Sequence, residues 1–415
     1  MTAPLLLAAI SAVILAQIAI GIGIALWHRQ HREGTLLQFR SDDLATTATG
    51  ACAWAGWREF RVESDAFEDQ ARTQRSLILR PLDGLPLPDF GPGQYLTFSI
   101  DLAASPTEPK RTIVRCYSLS ARPNAETYRI TVKRMPAPST RTELPAGAAS
   151  SFIHDSVLVG DILKVRAPAG QFLLDRTSDT PAVFIAGGVG VTPMISMISW
   201  SLAHQPKRRL HLFYGVGNSS DHAFKALLEG FARSHAAFVL DVLYAAPGPN
   251  DVEGRDFRHA GFIDVPLLQR VLPHGRHLFY VCGPPAMMAA LVPALTDWGV
   301  PKSDIRFESF GPASSGYVQP ITSAVESRLT KPLDVQFRRS RRTVAWTGED
   351  ANLLEFAERH GIAVESGCRT GSCGSCETRL VSGEVRYGST PDFEVPEGSC
   401  LLCVGIPASA LVLEA

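Results

Sequence analysis

Five of the eight cysteines in this 415-residue chain lie between Cys368 and Cys403. Three of them, Cys368, Cys373 and Cys376, form C-x4-C-x2-C, and Cys403 follows after 26 intervening residues. The segment that carries the first three, Ser366-Gly-Cys-Arg-Thr-Gly-Ser-Cys-Gly-Ser-Cys376, is filled with Gly and Ser. Small residues let a backbone wrap closely and aim N–H groups at sulfur. Structural zinc draws instead on two short ligand pairs, C-x2–4-C or H-x3–5-H, whereas this pattern puts three close cysteines on one side. Inert buried cysteines would not need a bracket of Gly and Ser. Eight cysteines are also too few for a disulfide scaffold over this length. The pattern marks a metal or redox centre.

The spacing is that with which plant-type [2Fe–2S] clusters are held, so Cys368, Cys373, Cys376 and Cys403 are the expected metal ligands. Cys400 competes for the fourth place. Cys403 sits in an apolar run, Leu401-Leu-Cys-Val404, that can shield a thiolate from water. Cys400 follows Glu397-Gly-Ser, expected to be an exposed turn, and is read as a spare thiol.

At roughly 150 residues per domain the length predicts two to three domains. Forty basic against 41 acidic side chains leave a net charge of −1, without the basic excess of a nucleic-acid binder. Residues 5–27 carry no charge. At about 1.5 Å per residue they reach roughly 35 Å, enough for a ~30 Å hydrocarbon core. A cleaved signal peptide wants positive charge ahead of its apolar run and a small-x-small site behind it. Here the N-terminal flank has no Lys or Arg, while His28, Arg29, His31 and Arg32 follow directly. The expectation is a single transmembrane anchor over residues 1–27, with the rest of the chain on the cytoplasmic side.

Residues 28–50 read as a linker. Over 51–175, short β-rich runs such as Tyr95-Leu-Thr-Phe-Ser-Ile and Tyr128-Arg-Ile-Thr-Val alternate with Pro and Gly turns, which suggests an antiparallel barrel. Over 176–312 the rhythm changes to strand, helix, strand: Ala182-Val-Phe-Ile-Ala, a helix to about residue 202, Leu210-His-Leu-Phe-Tyr, a helix near 223–231, then further strands. That order predicts a parallel α/β sheet. Residues 313–330 form a second linker, and 331–415 a third unit opening with a hairpin, Leu333-Asp-Val-Gln-Phe and Thr343-Val-Ala-Trp.

Three further motifs carry chemistry. Gly187-Gly-Val-Gly-Val-Thr-Pro193 follows a strand and opens a helix, where backbone N–H groups and the helix dipole can hold a pyrophosphate. It is not G-x-G-x-x-G, and a tight turn without ligand is an equal reading in isolation. Its weight rises with Cys282-Gly-Pro-Pro, which follows a second parallel strand and so reaches the same sheet edge. Arg115-Cys-Tyr-Ser118 offers a phosphate partner, a flat ring and a hydroxyl. It is followed by Lys133 and by Gly147-Ala-Ala-Ser-Ser, a helix start.

Taken in this order the motifs resemble the ferredoxin–NADP reductase superfamily, in its oxygenase-reductase branch with a C-terminal ferredoxin domain. The resemblance covers residues 55–415. It implies an FAD-binding barrel, a nicotinamide-nucleotide domain and an α+β ferredoxin domain of the β-grasp type. It implies that Arg115, Tyr117 and Ser118 bind the flavin, with Lys133, Gly147 and Ser150 serving its ribityl-pyrophosphate. Gly187, Gly188, Thr192, Cys282, Gly283 and Pro284 would serve the nicotinamide cofactor. Glu308 and Phe310 resemble the acidic–aromatic end that lies over the flavin. Ser118, Cys282 and Glu308 would then stand at the site of hydride transfer. The anchor is a departure, since most relatives are soluble.

The loop after the second strand of the nucleotide domain, Gly215-Val-Gly-Asn-Ser-Ser-Asp-His222, has no Arg or Lys for a 2′-phosphate, and Asp221 opposes one, so NADH is favoured over NADPH. Arg338-Arg-Ser-Arg-Arg342 is a basic run at a hairpin tip: a solvated turn, or a face for an acidic redox partner or anionic lipid. The resemblance implies electron flow from NADH to FAD to [2Fe–2S] and on to a redox partner, an oxygenase, hydroxylase, desaturase or cytochrome P450. Direct quinone reduction and a non-catalytic redox sensor are the alternatives.

Overall fold

A computed structural model describes residues 53–54, 56–102, 111–137, 146–310, 332–364, 366–367, 369, 371, 374–388, 391, 393 and 395–415. The expected anchor (1–27), both linkers (28–50 and 313–330), and Cys368 and Cys373 lie outside the described residues. Among the described residues no helix is long and apolar enough to cross a membrane. The three sheets described below belong to one unit, Ala55–Ala415.

Six strands build the first sheet: β1 (Arg58–Phe67), β2 (Gln74–Pro81), β3 (Tyr95–Leu102), β4 (Arg111–Ser118), β5 (Tyr128–Lys133) and β6 (Ile162–Val165). Their order is β4-β3-β6-β1-β2-β5, every pair antiparallel. An antiparallel bridge from Leu119 to Ile130 brings the two edges together, so the sheet closes into a barrel. Alternate residues turn inward, and Phe60, Val62, Leu77, Leu79 and Ile130 are fully buried. Inside, Tyr128 stacks on Phe60 and meets Phe90 edge-on. A helix, Ala148–Asp155, crosses between β5 and β6 and is pinned where Arg75 donates to the carbonyl of Ile153.

The second sheet runs β10 (His259–Ala260), β9 (Phe238–Tyr244), β8 (Leu210–Val216), β7 (Ala182–Gly187), β11 (Leu278–Gly283), β12 (Ile305–Ser309), all parallel. Every residue of β7 and β11 is buried, as unbroken apolar runs demand in a sheet covered on both faces. Helices Val191–His204 and Lys225–Ser234 belong to the core on one face, and Val265–Val271 and Pro285–Asp297 to that on the other. The chain goes from β7 outward to β8, then returns to β11 on β7's other side. The switch point therefore lies between β7 and β11, where open α/β sheets bind ligands. The helix expected near 223–231 starts later, at Lys225, because Phe224 takes a left-handed φ of 58°. Its ring is buried, with the Arg129 guanidinium 5.1 Å above it.

The third unit pairs β13 (Leu333–Phe337) with β14 (Arg342–Trp346) in the expected hairpin. A helix, Leu353–Arg359, follows, its first turn capped where the Asn352 side chain accepts from the Glu355 N–H. Then come β15 (Glu377–Ser382), β16 (Val385–Tyr387), β17 (Ser399–Leu401), β18 (Gly405–Pro407) and β19 (Leu411–Leu413). The sheet order is β14-β13-β19-β15-β17, with β19 parallel to β13, and β16 and β18 form a separate pair. This mixed sheet over one helix is a β-grasp arrangement. The basic run forms the β13–β14 turn: Arg338 reaches Glu414 at 3.5 Å, Arg342 donates to the His360 carbonyl, and Arg339 and Arg341 are exposed.

Candidate functional site

The glycine loop and the Cys-Gly-Pro turn meet at the switch point. After β7 the chain makes one 3-10 turn, Gly188–Gly190, and enters the helix Val191–His204. Gly190 has an ordinary φ; its constraint is space. A Cβ there would stand 2.6 Å from the carbonyl carbon of Cys282, so the two loops pack main chain against main chain. Thr192 is buried, and its hydroxyl donates to the Val189 carbonyl, which holds the turn shut. Cys282 has no exposed surface and lies in the sheet core, next to Glu308 by strand register. Burial first, and the Glu308 carboxylate second, push its thiol well above the ordinary range. Cys282 is thus a buried thiol packed in the sheet core; its neighbours Gly283 and Pro284 form the turn itself. Phe310 packs half-buried against the same core.

On the barrel, Tyr117 and Ser118 end β4. The Tyr117 ring lies 5.6 Å from that of Phe98, and burial raises its phenol pKa. Ser118 is buried opposite Tyr95. Arg115 is exposed; its Nη1 donates to the Val114 carbonyl at 2.7 Å and reaches the Ser366 carbonyl at 3.5 Å. Lys133, at the end of β5, brings its Nζ to 3.8 Å from where a Cβ on Gly188 would stand, so it sits at the nucleotide loop. Its expected place was on the flavin side alone. The Ser150 hydroxyl donates to the Gly147 carbonyl at 2.9 Å and accepts from the Met135 N–H at 3.1 Å. Any role for Ser150 towards a phosphate runs through the turn it fixes.

The loop after β8 is met by a second carboxylate, Asp251 from the segment past β9, that the sequence pattern did not single out. Asp221 ends the 3-10 turn Ser219–Asp221, with Oδ2 2.5 Å from where a Cβ on Gly217 would stand. Asp251 accepts from the N–H groups of Gly248 at 2.8 Å and Ser219 at 3.3 Å. Hydrogen bonds from Ser219 and Gly248 hold its carboxyl below the usual range. The signal was its place just past β9, at the ligand-binding edge. Beneath this loop His222 is buried against the Tyr244 hydroxyl, 3.0 Å from Nδ1, and burial drops its pKa to about 4.

In the third unit Cys376 and Cys403 are each 3% exposed, and the Cys403 N–H donates to Cys376 Sγ at 3.4 Å. An amide aimed at a buried sulfur, beside a second thiol, is the donor chemistry of an iron–sulfur site. With Cys368 and Cys373 outside the described residues, no complete ligand set is defined among them. Gly374, between Cys373 and Cys376, has φ 72°, and a Cβ on it would stand 2.5 Å from Cζ of Phe393. Arg369, from the same loop, pairs with Glu358 of the helix. One expectation is corrected: Cys400 is not in an exposed turn. The turn ends at Gly398, the chain enters β17 at Ser399, and Cys400 faces the core opposite Thr378 at 1% exposure. Burial, and then Cys376, push its thiol up to about 12.

Residues 184–292 match the oxidoreductase NAD-binding domain family, and residues 337–408 the 2Fe-2S iron-sulfur cluster binding domain family. The chain is similar to a flavohemoprotein of Rhizobium meliloti (strain 1021), 38% identical over 262 residues, which are 63% of this chain and 62% of the relative. It is similar to the flavohem-like FAD/NAD-binding domain of a Vibrio cholerae O1 biovar El Tor nitric oxide dioxygenase. That identity is 32%, covering 61% of this chain and 99% of that one, with a TM-score of 0.52. Phthalate dioxygenase reductase, described as a modular structure for electron transfer from pyridine nucleotides to [2Fe-2S], matches 87% of this chain and 98% of its own. It is 26% identical, with a TM-score of 0.50. Fold, loops and sulfurs together define an NAD(P)H-dependent oxidoreductase with FAD and [2Fe–2S] cofactors. The chain belongs to the ferredoxin–NADP reductase superfamily, in the arrangement that ends in a ferredoxin-type domain.

Proposed function

We propose that the chain is the reductase component of an electron-transfer system whose acceptor is an oxygenase, hydroxylase, desaturase or cytochrome P450, with NADH as donor. The observation that carries this reading is the Cys376–Cys403 pair, an amide-supported sulfur site built into the same unit as the barrel and the glycine-edged sheet. FAD and the cluster, when bound, supply the change from a hydride pair to single electrons. The protein's part is to hold and orient. Tyr117 offers a ring for the isoalloxazine, with Ser118 beside it; Arg115, Lys133 and the turn carrying Gly147 and Ser150 take the flavin's phosphates. Gly187, Gly188, Thr192, Gly283 and Pro284 shape the nicotinamide edge, and Glu308 and Phe310 close it. The buried Cys282 thiol packs beneath that edge, and no side chain has to act as a strong acid or base.

Asp221 and Asp251 together disfavour a 2′-phosphate, which supports NADH over NADPH. Residues 5–27 tether the chain to a membrane, with the remaining domains on the cytoplasmic side. Full-length protein from detergent-solubilised, carbonate-washed membranes should reduce cytochrome c with NADH and bring down an iron-containing oxygenase. Recovery in the soluble fraction with an intact N-terminus sinks the tether. Faster turnover with a quinone than with any co-purified protein sinks the oxygenase reading, and no turnover with any acceptor points to a sensor.

A further inference from the structure

Two arginines leave the barrel towards the cluster domain. Arg166 follows β6 directly and is tied to the barrel by its N–H, which donates to the Thr97 carbonyl of β3 at 2.9 Å. Its guanidinium carbon lies 4.7 Å from the ring centroid of Trp57, on the barrel, and 5.4 Å from that of Phe393, in the third unit. One cation is thus held between an aromatic ring from each side. Phe393 in turn fills the space over Gly374, the residue directly after Cys373. The second arginine, Arg115, reaches the carbonyl of Ser366, two residues ahead of Cys368.

Both contacts start from neighbouring strands of the barrel. β4, β3 and β6 are consecutive in the sheet, Val165 pairs with Phe98, and the Phe98 ring packs against Tyr117. Both contacts also end on the cluster loop or on the residue packed against it. Arginine suits the place, because its planar guanidinium stacks on rings with both faces and keeps its charge at any physiological pH. A cation–π contact of this kind is a modest one, set against the packing of either domain.

We infer that Arg166 is the positioning residue of a cation–π clamp, between Trp57 and Phe393, that seats the cluster domain against the barrel strands β4, β3 and β6. The inference rests on the proposed use of FAD and the [2Fe–2S] cluster. With its cofactors bound, FAD would take a hydride from NADH, and two successive one-electron transfers through the cluster to the acceptor protein would return it to the oxidised form, with one proton released to solvent.

The test uses the full-length holoprotein in detergent and three variants, Arg166→Ala, Phe393→Ala and Arg166→Lys. In stopped flow, flavin bleaching by NADH should stay within about twofold of wild type in all three. Cluster reduction should slow by up to about tenfold in the two alanine variants, the population shift that loss of one cation–π contact produces. Arg166→Lys, which keeps the cation, should recover most of that rate. The cluster's EPR spectrum should be unchanged. Independently of turnover, amide exchange in peptides covering residues 95–102 and 366–380 should quicken in both alanine variants, while the sheet at 182–187 stays as protected as before. Wild-type exchange and wild-type cluster reduction in Arg166→Ala would overturn the clamp. So would loss of the cluster itself, which would make Arg166 a support of the loop and no docking residue. If wild type itself passes no electrons from NADH to the cluster, the proposed function fails, and the exchange measurement still decides the clamp.

Discussion

A methyl group added at Gly190 would press on the main chain of Cys282; one added at Gly374 would press on the ring of Phe393. The nucleotide edge is locked by backbone that belongs to two fully buried parallel strands, and its side-chain hydrogen bonds close within the protein. The cluster loop is held by a ring from another loop, by an Arg369–Glu358 ion pair and by sulfurs. The first site is shaped by the protein's own backbone. The second would be completed by its metal, since thiolate binding and folding of such loops are linked.

The largest test of that contrast is Cys403→Ser. It should abolish the cluster's visible and EPR signals and drop cytochrome c reduction to background, while NADH-driven ferricyanide reduction survives. Cys400→Ser should keep every signal and lower the cluster domain's stability by about 1–2 kcal/mol, the cost of a hydroxyl in a buried thiol's place. A cluster that persists in Cys403→Ser would reassign the fourth ligand to Cys400.

Gly190→Ala works from the other end. Forcing apart two main chains should cost about 3 kcal/mol and weaken NADH binding, with the EPR signal retained. Calorimetry and a NADH titration check it; an unchanged melting temperature would mean that the edge yields as easily as a side chain.

Acid should also act on the nucleotide end first. His222 has a folded pKa of about 4 against an ordinary 6.5. Above pH 6.5 it is neutral folded or unfolded, and its site is at full stability. As pH falls from 6.5 to 4 only the unfolded chain takes up the proton, so stability drops by at most about 3 kcal/mol and then levels. Denaturant unfolding of the nucleotide domain from pH 7 to 4 should show this slope, and His222→Phe should flatten it.

The smallest effect belongs to the rim. Asp221→Asn with Asp251→Asn should raise kcat/KM for NADPH by about tenfold and leave that for NADH within about threefold. No gain with NADPH would place the discrimination elsewhere.

What could be read beforehand follows the same contrast. Unbroken apolar strands such as Ala182-Val-Phe-Ile-Ala, and alternating ones such as β3, write their burial into local sequence, so the parallel sheet and the barrel were legible. So were the hairpin β13–β14 and the cysteine spacing, because a loop around a metal needs its glycines close by. The buried face of Cys400 was not legible, since it depends on pairing with β15, more than twenty residues away. Nor was the approach of Lys133 to Gly188, the left-handed entry at Phe224, or the partnership of Arg166 with Phe393. Each is set by contacts between distant segments that leave no periodic trace.

The hydrogen bond from the Cys403 amide to Cys376 Sγ reaches beyond assembly. An N–H pointed at a thiolate withdraws electron density and favours the reduced state of the metal it holds, which raises the reduction potential. With Cys376 and Cys403 as the proposed ligands, the residue that supplies one sulfur would tune the electron demand of another through its own backbone. Side-chain replacement at 403 would remove the proposed ligand and leave that amide in place, whereas a change that tilts the peptide before Cys403 should shift the cluster's potential without touching a single sulfur.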